Sequence, residues 1–300
     1  MPNFEEQIDH LLKHGYALIP NFLKPIELRS AQAGMSRYFP SASELAKTPH
    51  RYGWVFDDPE NLQIEFPFAD DTLNHVTTHP AILALAKRLI GVEDVMLSQA
   101  AVWAKYAGTG SFEQTMHLDY EGNTLVVPRD DGPYRQVNLI LYYSDVTEEM
   151  GPTYVVSQTK TQKAGVWPPF RPRDSYRTLY KNEVPMVASA GSLLVFTMST
   201  FHRAGEILAE HGARFSHHLV YRSAQCSFNG HHQYSQFGEK PEMQRFIQRA
   251  TPDQRHAVGF PPPGHDYWTP QTLDAVAQRY SRLDLGPYRA AVGYRTVRRA

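Results

Sequence analysis

Near residue 94 the apolar periodicity of the chain changes from 3.6 to 2, and this change restricts the fold more than any other feature. Before it, Phe4, Ile8, Leu11 and Leu12 recur at helical spacing until Gly15, a residue that tolerates the left-handed backbone of a helix stop. Tyr16-Ala17-Leu18-Ile19-Pro20 then reads as a short strand. Pro25, suited to a first helical turn, opens a second helix predicted to run to about Tyr38. A third helix follows Pro80, with Ile82, Leu83, Leu85, Ala86 and Leu89 on one apolar face closed by Gly91. Beyond the change, strands are predicted over residues 95–106, 113–120, 134–143, 153–157, 184–188, 192–198 and 214–223. Short strands separated by Gly, Pro and Asp turns specify a β-sandwich or barrel.

Two stretches are predicted loops placed to cover a site: Asp130-Asp131-Gly132-Pro133 and the proline- and arginine-rich residues 167–174. After Ser223 the pattern is irregular, with helices expected near 241–249 and 270–280 and a frayed basic tail from Arg295 to Ala300. The expected organisation is one domain over 1–300: a helical part (1–93), a strand-rich core (94–225) and a partly helical extension (226–300).

A chain of 300 residues with 42% hydrophobic content is long enough to bury one large core. Its 30 Lys and Arg balance 31 Asp and Glu, so no global field draws it to nucleic acid or an anionic membrane. The single cysteine, Cys226, excludes an internal disulfide and fits a reducing compartment. The opening Met1-Pro2-Asn3-Phe4-Glu5-Glu6 lacks the basic and apolar regions of an export signal, and no run approaches the ~20 apolar residues of a membrane span. A soluble, cytoplasmic protein is expected.

The chemistry-bearing motif is His117-Leu118-Asp119, followed far along the chain by His202 and then Arg214. On a strand, residues two apart share a face, so His117 and Asp119 point together while Leu118 points away. Two imidazoles and one carboxylate on one face of a metal leave open positions, the ligand set of non-heme Fe(II) oxygenases. Arg214 adds a planar cation able to grip a carboxylate with two parallel bonds, as a dicarboxylate such as 2-oxoglutarate requires. With 14 histidines and aspartate at roughly one residue in twenty, about one H-x-D arises by chance. Context distinguishes this one: His202 follows the predicted strand Gly191-Ser192-Leu193-Leu194-Val195-Phe196. A jelly-roll protein that binds metal without turnover is a second reading. A metal-dependent hydrolase is a third, with no H-E-x-x-H to support it and no task for Arg214.

The order of these residues resembles the phytanoyl-CoA dioxygenase family. The resemblance rests on His117-Leu118-Asp119, on Val137-Asn138-Leu139-Ile140-Leu141-Tyr142-Tyr143-Ser144-Asp145-Val146-Thr147-Glu148-Glu149-Met150-Gly151-Pro152, and on His202 with Arg214. Gly15-Tyr16-Ala17-Leu18-Ile19-Pro20 is similar to that family's opening, and the likeness spans roughly residues 5 to 225. It implies a mainly β fold with flanking helices, a double-stranded β-helix of the cupin-like jelly-roll type. It further implies Fe(II) held by His117, Asp119 and His202, and 2-oxoglutarate anchored by Arg214. The implied reaction turns 2-oxoglutarate and O2 into succinate and CO2 while a small-molecule metabolite is hydroxylated. Desaturation, cyclisation and epoxidation are the alternative outcomes.

Two positions depart from the family pattern. Ser157-Gln158-Thr159-Lys160 replaces a Pro-Gly-Ser-His loop, and Ala204 stands where many relatives have a serine that helps hold 2-oxoglutarate. Retention of Asp119 favours chloride-free oxidation, because related halogenases carry a small residue there.

Lys105 is a candidate contact for 2-oxoglutarate or a substrate anion, against the reading of an edge lysine facing water. Asn138 is a candidate pocket residue, against a hydrogen-bonded structural asparagine. Trp103, Tyr120 and Phe228 are candidate pocket walls or plain core. His217 and His218 face opposite sides of one strand and read as packing or surface residues, while His231-His232 read as a solvated loop. Arg171 and Arg173 either recognise a substrate anion or sit in a flexible charged loop. Cys226 has no adjacent activating pattern and receives no nucleophilic role.

Overall fold

The period-2 region forms a six-stranded antiparallel sheet in the order β1-β7-β4-β9-β3-β2, faced by a three-stranded sheet in the order β6-β5-β8. The strands are β1 (Tyr16–Ile19), β2 (Gln63–Glu65), β3 (Val95–Tyr106), β4 (Gln136–Tyr142), β5 (Thr153–Val156), β6 (Glu183–Pro185), β7 (Leu193–Thr197), β8 (His202–Ala204) and β9 (Ala213–Ser223). The computed structural model describes residues 4–57, 62–108, 113–120, 127–128, 134–226, 234–238 and 240–298. The expected jelly-roll is the fold observed: two antiparallel sheets with flanking helices.

Helices α1 (Glu5–His14), α2 (Pro25–Met35), α3 (Ala42–Lys47), α4 (Trp54–Asp57), α5 (Asp71–Thr77) and α6 (Pro80–Ile90) precede the long strand β3. Two short helices, α7 (Gln158–Thr161) and α8 (Arg177–Lys181), lie within the jelly-roll. The chain closes with α9 (Pro241–Arg249), α10 (Pro252–Ala257), α11 (Pro270–Arg279) and α12 (Gly286–Arg298). Among the described residues no helix is long and apolar enough to cross a membrane.

Helix α1 ends where the sequence predicts. Gly15 adopts φ 83° and its N–H bonds Leu11 O. A Cβ there would lie 2.5 Å from the Gln158 side chain and 2.6 Å from Thr200 Oγ1, so both backbone and space demand glycine.

Strand parity divides the large sheet. Val102 and Ala104 of β3, Val137, Leu139 and Leu141 of β4, Val195 of β7, and Leu219 and Tyr221 of β9 are buried on its outer face. They join Leu11, Ala31, Leu73, Ile82, Leu89 and Phe246 of the helices in one cluster. Each fully buried Val, Leu, Ile or Phe side chain among them stabilises the fold by ~1.5–3 kcal/mol. The inner face contributes Ile140, Tyr142, Leu194 and Phe196, packed on Val155 and Met186 of the small sheet.

Several expectations need correction. Residues 113–120 do not form a strand; isolated bridges join Met116 to Arg171 and His117 to His202. The segment is pinned on both sides, with Leu118 N–H bonding Pro169 O, and turns away after Asp119. Helix α2 stops at Met35, and Tyr38 N–H bonds Met35 O in a tighter turn. Strands β2 and β8, of three residues each, are too short to show a period. Helix α5 is launched by Asp70, whose carboxylate accepts from Thr72 and Leu73 N–H. The expected basic tail continues helix α12 to Arg298, because Tyr288 is fully buried with Trp268, Leu273 and Leu285 and its hydroxyl accepts from Arg255. The predicted turn at Asp130 to Pro133 lies outside the described residues.

Buried polar side chains bolt α5 to the sheet. Thr77 Oγ1 donates to Leu73 O, so its lone pair accepts from His217 Nε2–H at 3.2 Å. That leaves His217 Nδ1 to accept the Tyr143 hydroxyl at 2.8 Å. Burial, with a contribution from His218, pulls the His217 pKa from 6.5 to about 3. A base whose folded pKa is lowered stabilises the fold above its unfolded pKa and loses that contribution as pH falls. Between 6.5 and about 3, His217 thus costs about 1.4 kcal/mol per pH unit. We expect His217→Gln to flatten the pH dependence of unfolding free energy by about one proton between about pH 6 and about pH 4. Denaturant titrations with equal slopes for both proteins would overturn this.

Candidate metal centre

Strand β8 begins at His202, and His117 lies directly beside it. The two residues exchange backbone bonds in both directions, His117 N–H to His202 O at 2.9 Å and His202 N–H to His117 O at 3.0 Å. Leu118 is buried in a cluster with Met116, Tyr120 and Phe201, so alternation turns His117 and Asp119 the other way. One ligand atom each from His117, Asp119 and His202 lies within 4.8 Å of the others.

The hydrogen bonds around this group define what fits between its members. His117 Nδ1 is 2.8 Å from Thr115 O, and His202 Nδ1 is 3.1 Å from Thr200 O. A carbonyl only accepts, so both Nδ1 atoms carry hydrogen and both Nε2 atoms present lone pairs. Those Nε2 atoms stand 3.1 and 3.2 Å from the two Asp119 oxygens. With neutral rings these lone pairs face the carboxylate oxygens, an arrangement relieved by a cation held between them, either a proton on Nε2 or a metal ion. The donor set and the backbone partners behind each imidazole suit Fe(II).

The electrostatics agree. Burial works against charge on Asp119, yet His202 and His117 hold its carboxyl well below the ordinary value. Burial likewise works against His117, but when its ring is protonated Nε2–H donates to the Asp119 carboxylate, which lifts its pKa above the ordinary value; a metal ion would take the place of that proton. Asn138 Nδ2 donates to Asp119 Oδ2 at 3.1 Å. Asn138 therefore faces the pocket as one sequence reading had it, and its described contact is the carboxylate. Phe196 packs at 4.5 Å from the His202 ring, and Phe170 stacks at 5.8 Å on His117.

A pair of cations lies further along the same inner face. Lys105 of β3 and Arg214 of β9 are cross-strand partners. The reading of Lys105 as an edge lysine facing water is corrected: β3 lies between β9 and β2, and Lys105 is half-buried on the pocket side. Its Nζ donates to Gly205 O at 2.8 Å, while Arg214 Nη1 donates to Gly151 O. These two glycines cross closely; a Cβ on Gly151, at φ 62°, would lie 2.7 Å from Gly205 O. Burial and the Arg214 charge bring the Lys105 pKa down to about 8, against the raising effect of Glu206. Where the family pattern has a serine, Ala204 offers only backbone, and its N–H bonds Gln114 Oε1. Hydroxyls of Tyr142 and Ser216 are cross-strand neighbours next to Arg214.

The remaining candidates separate cleanly. His217 and His218 do face opposite sides, but His218 is a pocket residue, with Nε2 3.1 Å from Ser216 Oγ and its ring 5.6 Å from Trp103. Burial and the Arg214 and His202 charges, opposed by Asp119, bring its pKa to about 3, so it is neutral near pH 7. Its parity with Arg214 on β9 was the available signal. Trp103 shares the pocket face, whereas Tyr120 is core, with its hydroxyl on Val166 O. Arg171 is buried and donates to Ala164 O and Gly165 O, and Arg173 pairs with Glu113. The described polar contacts of both arginines are made within the protein. Cys226 is buried, and burial raises its thiol pKa. Phe228, His231 and His232 lie outside the described residues.

No curated protein matches this chain. Among solved structures, the epimerase SnoN, crystallised with Fe3+, alpha ketoglutarate and nogalamycin RO, is similar at TM-score 0.53 and 18% identity over 74% of this chain and 84% of its own. The carbocyclase SnoK from nogalamycin biosynthesis gives 0.54 and 18% over 73% and 84%. HygX from Streptomyces hygroscopicus gives 0.55 and 14% over 76% and 90%. At these identities the likeness is one of fold. Residues 11–215 match the phytanoyl-CoA dioxygenase (PhyH) family, well over half of the sequence and the whole of the jelly-roll up to β9. The chain thus belongs to the phytanoyl-CoA dioxygenase family and is an Fe(II)- and 2-oxoglutarate-dependent oxygenase.

Proposed function

We propose that this oxygenase hydroxylates a small organic molecule, that His117, Asp119 and His202 hold its iron, and that Arg214 with Lys105 grips the far carboxylate of 2-oxoglutarate. The observation that carries the reading is the cross-strand Lys105–Arg214 pair on the same sheet face as the Asp119 partner Asn138. Two adjacent cations repel, and a dicarboxylate laid between them and the metal relieves that repulsion. When bound, iron and 2-oxoglutarate supply the oxidising chemistry: 2-oxoglutarate, O2 and a substrate C–H bond become succinate, CO2 and an alcohol.

The chain's own groups prepare the site. Thr115 and Thr200 carbonyls fix both imidazoles with Nε2 forward, and Asn138 holds one oxygen of Asp119. The Ser216 hydroxyl takes over the contact that Ala204 cannot make, because the Tyr142 proton is donated to Thr153 Oγ1. Phe170 and Phe196 flank the histidines with apolar surface and limit water there. The Asp119 carboxylate, where a halogenase has a small residue, supports hydroxylation.

SnoN and HygX were crystallised with nogalamycin RO and hygromycin B respectively. By that likeness we assign a small molecule, and near-zero net charge supports no nucleic-acid partner. One cluster joins residues from Ile8 to Tyr280, supporting a single domain, and the lone Cys226 fits the cytoplasm.

Anaerobically purified protein given Fe(II), 2-oxoglutarate and O2 is expected to form succinate, stimulated by its substrate from a small-molecule library. Asp119→Ala and His117→Ala should abolish substrate oxidation; full turnover by Asp119→Ala would sink the assigned ligand set. Tight Fe(II) and 2-oxoglutarate binding with no succinate under any condition would instead favour a binding protein. Arg214→Gln should raise the 2-oxoglutarate concentration needed by about tenfold to a hundredfold, the loss of a charge-assisted contact. An unchanged requirement removes Arg214 from this role.

Lys105 adds a pH dependence. Below about 8 its ammonium is charged and ready for an anion; above that value binding must also take up a proton. The 2-oxoglutarate Kd, measured by calorimetry, should rise with pH by up to about tenfold per unit above this pKa. Lys105→Gln should be flat over the same range, and a parallel rise in both proteins would refute the assignment.

A further inference from the structure

The inner face of the large sheet continues past Asn138, away from Arg214. Gln136 precedes Asn138 by two residues on β4, so it shares that face about 7 Å further along the strand. In register it stands opposite Arg222 of β9, and Arg222 in turn faces Met96 of β3. Arg222 has the parity of Arg214 and His218, so it belongs to the pocket side.

These groups are left incomplete by the protein. Gln136 is 2% exposed, and neither its amide nitrogen nor its amide oxygen has a hydrogen-bond partner. Arg222 Nε is also buried without a partner, and Nη1 donates only to the adjacent Ser223 O at 2.9 Å. Among the described residues no carboxylate pairs with this guanidinium, and Cys226 is the titratable group beside it. Buried amides and guanidiniums are nearly always satisfied, because leaving them bare is costly. Arg203 shows the usual outcome, paired with Glu183 and Glu113. Arg171 Nε and Arg214 Nε are also buried without a partner, but Arg171 donates to two carbonyls and packs on the Tyr176 ring, and Arg214 faces the proposed co-substrate end.

We propose that Gln136 and Arg222 form the recognition end for the substrate to be oxidised, and that this substrate carries a carboxylate. The guanidinium edge formed by Nε and Nη2 matches a planar carboxylate, and Gln136 Nε2 adds a third donor. Gln136 Oε1 accepts from an O–H or N–H of the same ligand. The pocket then has a cation at each end, Arg214 for the co-substrate and Arg222 for the substrate, with Asp119 between them. The carbon to be oxidised lies about two strand residues, roughly 7 Å, from the bound carboxylate. This inference rests on the oxygenase reading, which assigns the Arg214 end to 2-oxoglutarate.

The test is anaerobic calorimetry on the Fe(II)-loaded protein saturated with 2-oxoglutarate, so that no turnover occurs and the Arg214 end is filled. The probes are carboxylic acids, each paired with its primary amide, spanning aliphatic and aromatic bodies. We expect at least one acid to bind about tenfold or more tighter than its amide, the consequence of one charge-assisted contact. Arg222→Gln should erase that preference and Gln136→Leu should reduce it, with the 2-oxoglutarate Kd unchanged in both. Equal binding of acids and amides, no binding of any acid, or a preference that survives Arg222→Gln would overturn the proposal. The wild-type comparison needs no variant to fold. Failure of 2-oxoglutarate to bind at all would sink the oxygenase reading instead, and the same acid-against-amide titration in Arg214→Gln would still decide on Arg222.

Discussion

Side-chain alternation in β9 fixes the relation between core and chemistry on which the rest of the molecule depends. Phe215, His217, Leu219 and Tyr221 face the helices, while Arg214, Ser216, His218, Val220 and Arg222 face the pocket. A one-residue slip would drive two guanidiniums into the hydrophobic cluster and expose Leu219 and Tyr221, so register is specified from both sides. The bulge in β3 serves the same constraint. Its extra residue, Ser98, separates Leu97, opposite the outward Tyr221, from Gln99, opposite the inward Val220. Ser98 Oγ is left buried without a hydrogen bond at that irregularity.

Given this face, the charged groups of the site follow a simple order along it. The cations Lys105 and Arg214 sit at one end, each tethered to a glycine carbonyl that only a close backbone crossing brings near enough. Asp119 comes from the segment bridged to β8 through His117 and meets Asn138 across the gap. Holding like charges side by side costs energy, and in the proposed function a dicarboxylate would offset that cost. The two backbone carbonyls reduce the cost without cancelling either charge.

Much of this was legible in the sequence because the relevant signals are local. His117-Leu118-Asp119 encodes a shared face in three residues, and the helices closed by Gly15 and Gly91 carry their stop signals with them. Strand parity also separates His217 from His218 correctly. What the sequence does not encode locally is which face of a strand meets the pocket, so it reads His218 as packing or surface and leaves Lys105 open between an anion contact and a solvent edge. Both assignments depend on β9 being flanked by β3 and β4, a pairing between segments far apart in the chain. The segment at 113–120 misleads for a related reason: its alternation is real, but its partners change from β8 to the 169–171 loop within three residues.

The arginines show how far identical side chains can diverge in use. Arg203 is buried, doubly bonded to Glu183 at 2.7 Å and paired with Glu113 at 2.8 Å, and Arg173 joins Glu113 from the loop. Arg171 adds bonds to two loop carbonyls and packs its guanidinium 4.7 Å from the Tyr176 ring. The Tyr180 hydroxyl links the same loop to the ligand segment, donating to Arg171 O and accepting from Met116 N–H. This network fixes residues 164–173 against the small sheet, and Phe170 can then hold its stack on His117 although it is itself half exposed. Arg222 differs in having one adjacent carbonyl as partner and, among the described residues, neither a carboxylate nor an aromatic ring against it, which separates a guanidinium that builds the site from one positioned to read what enters it.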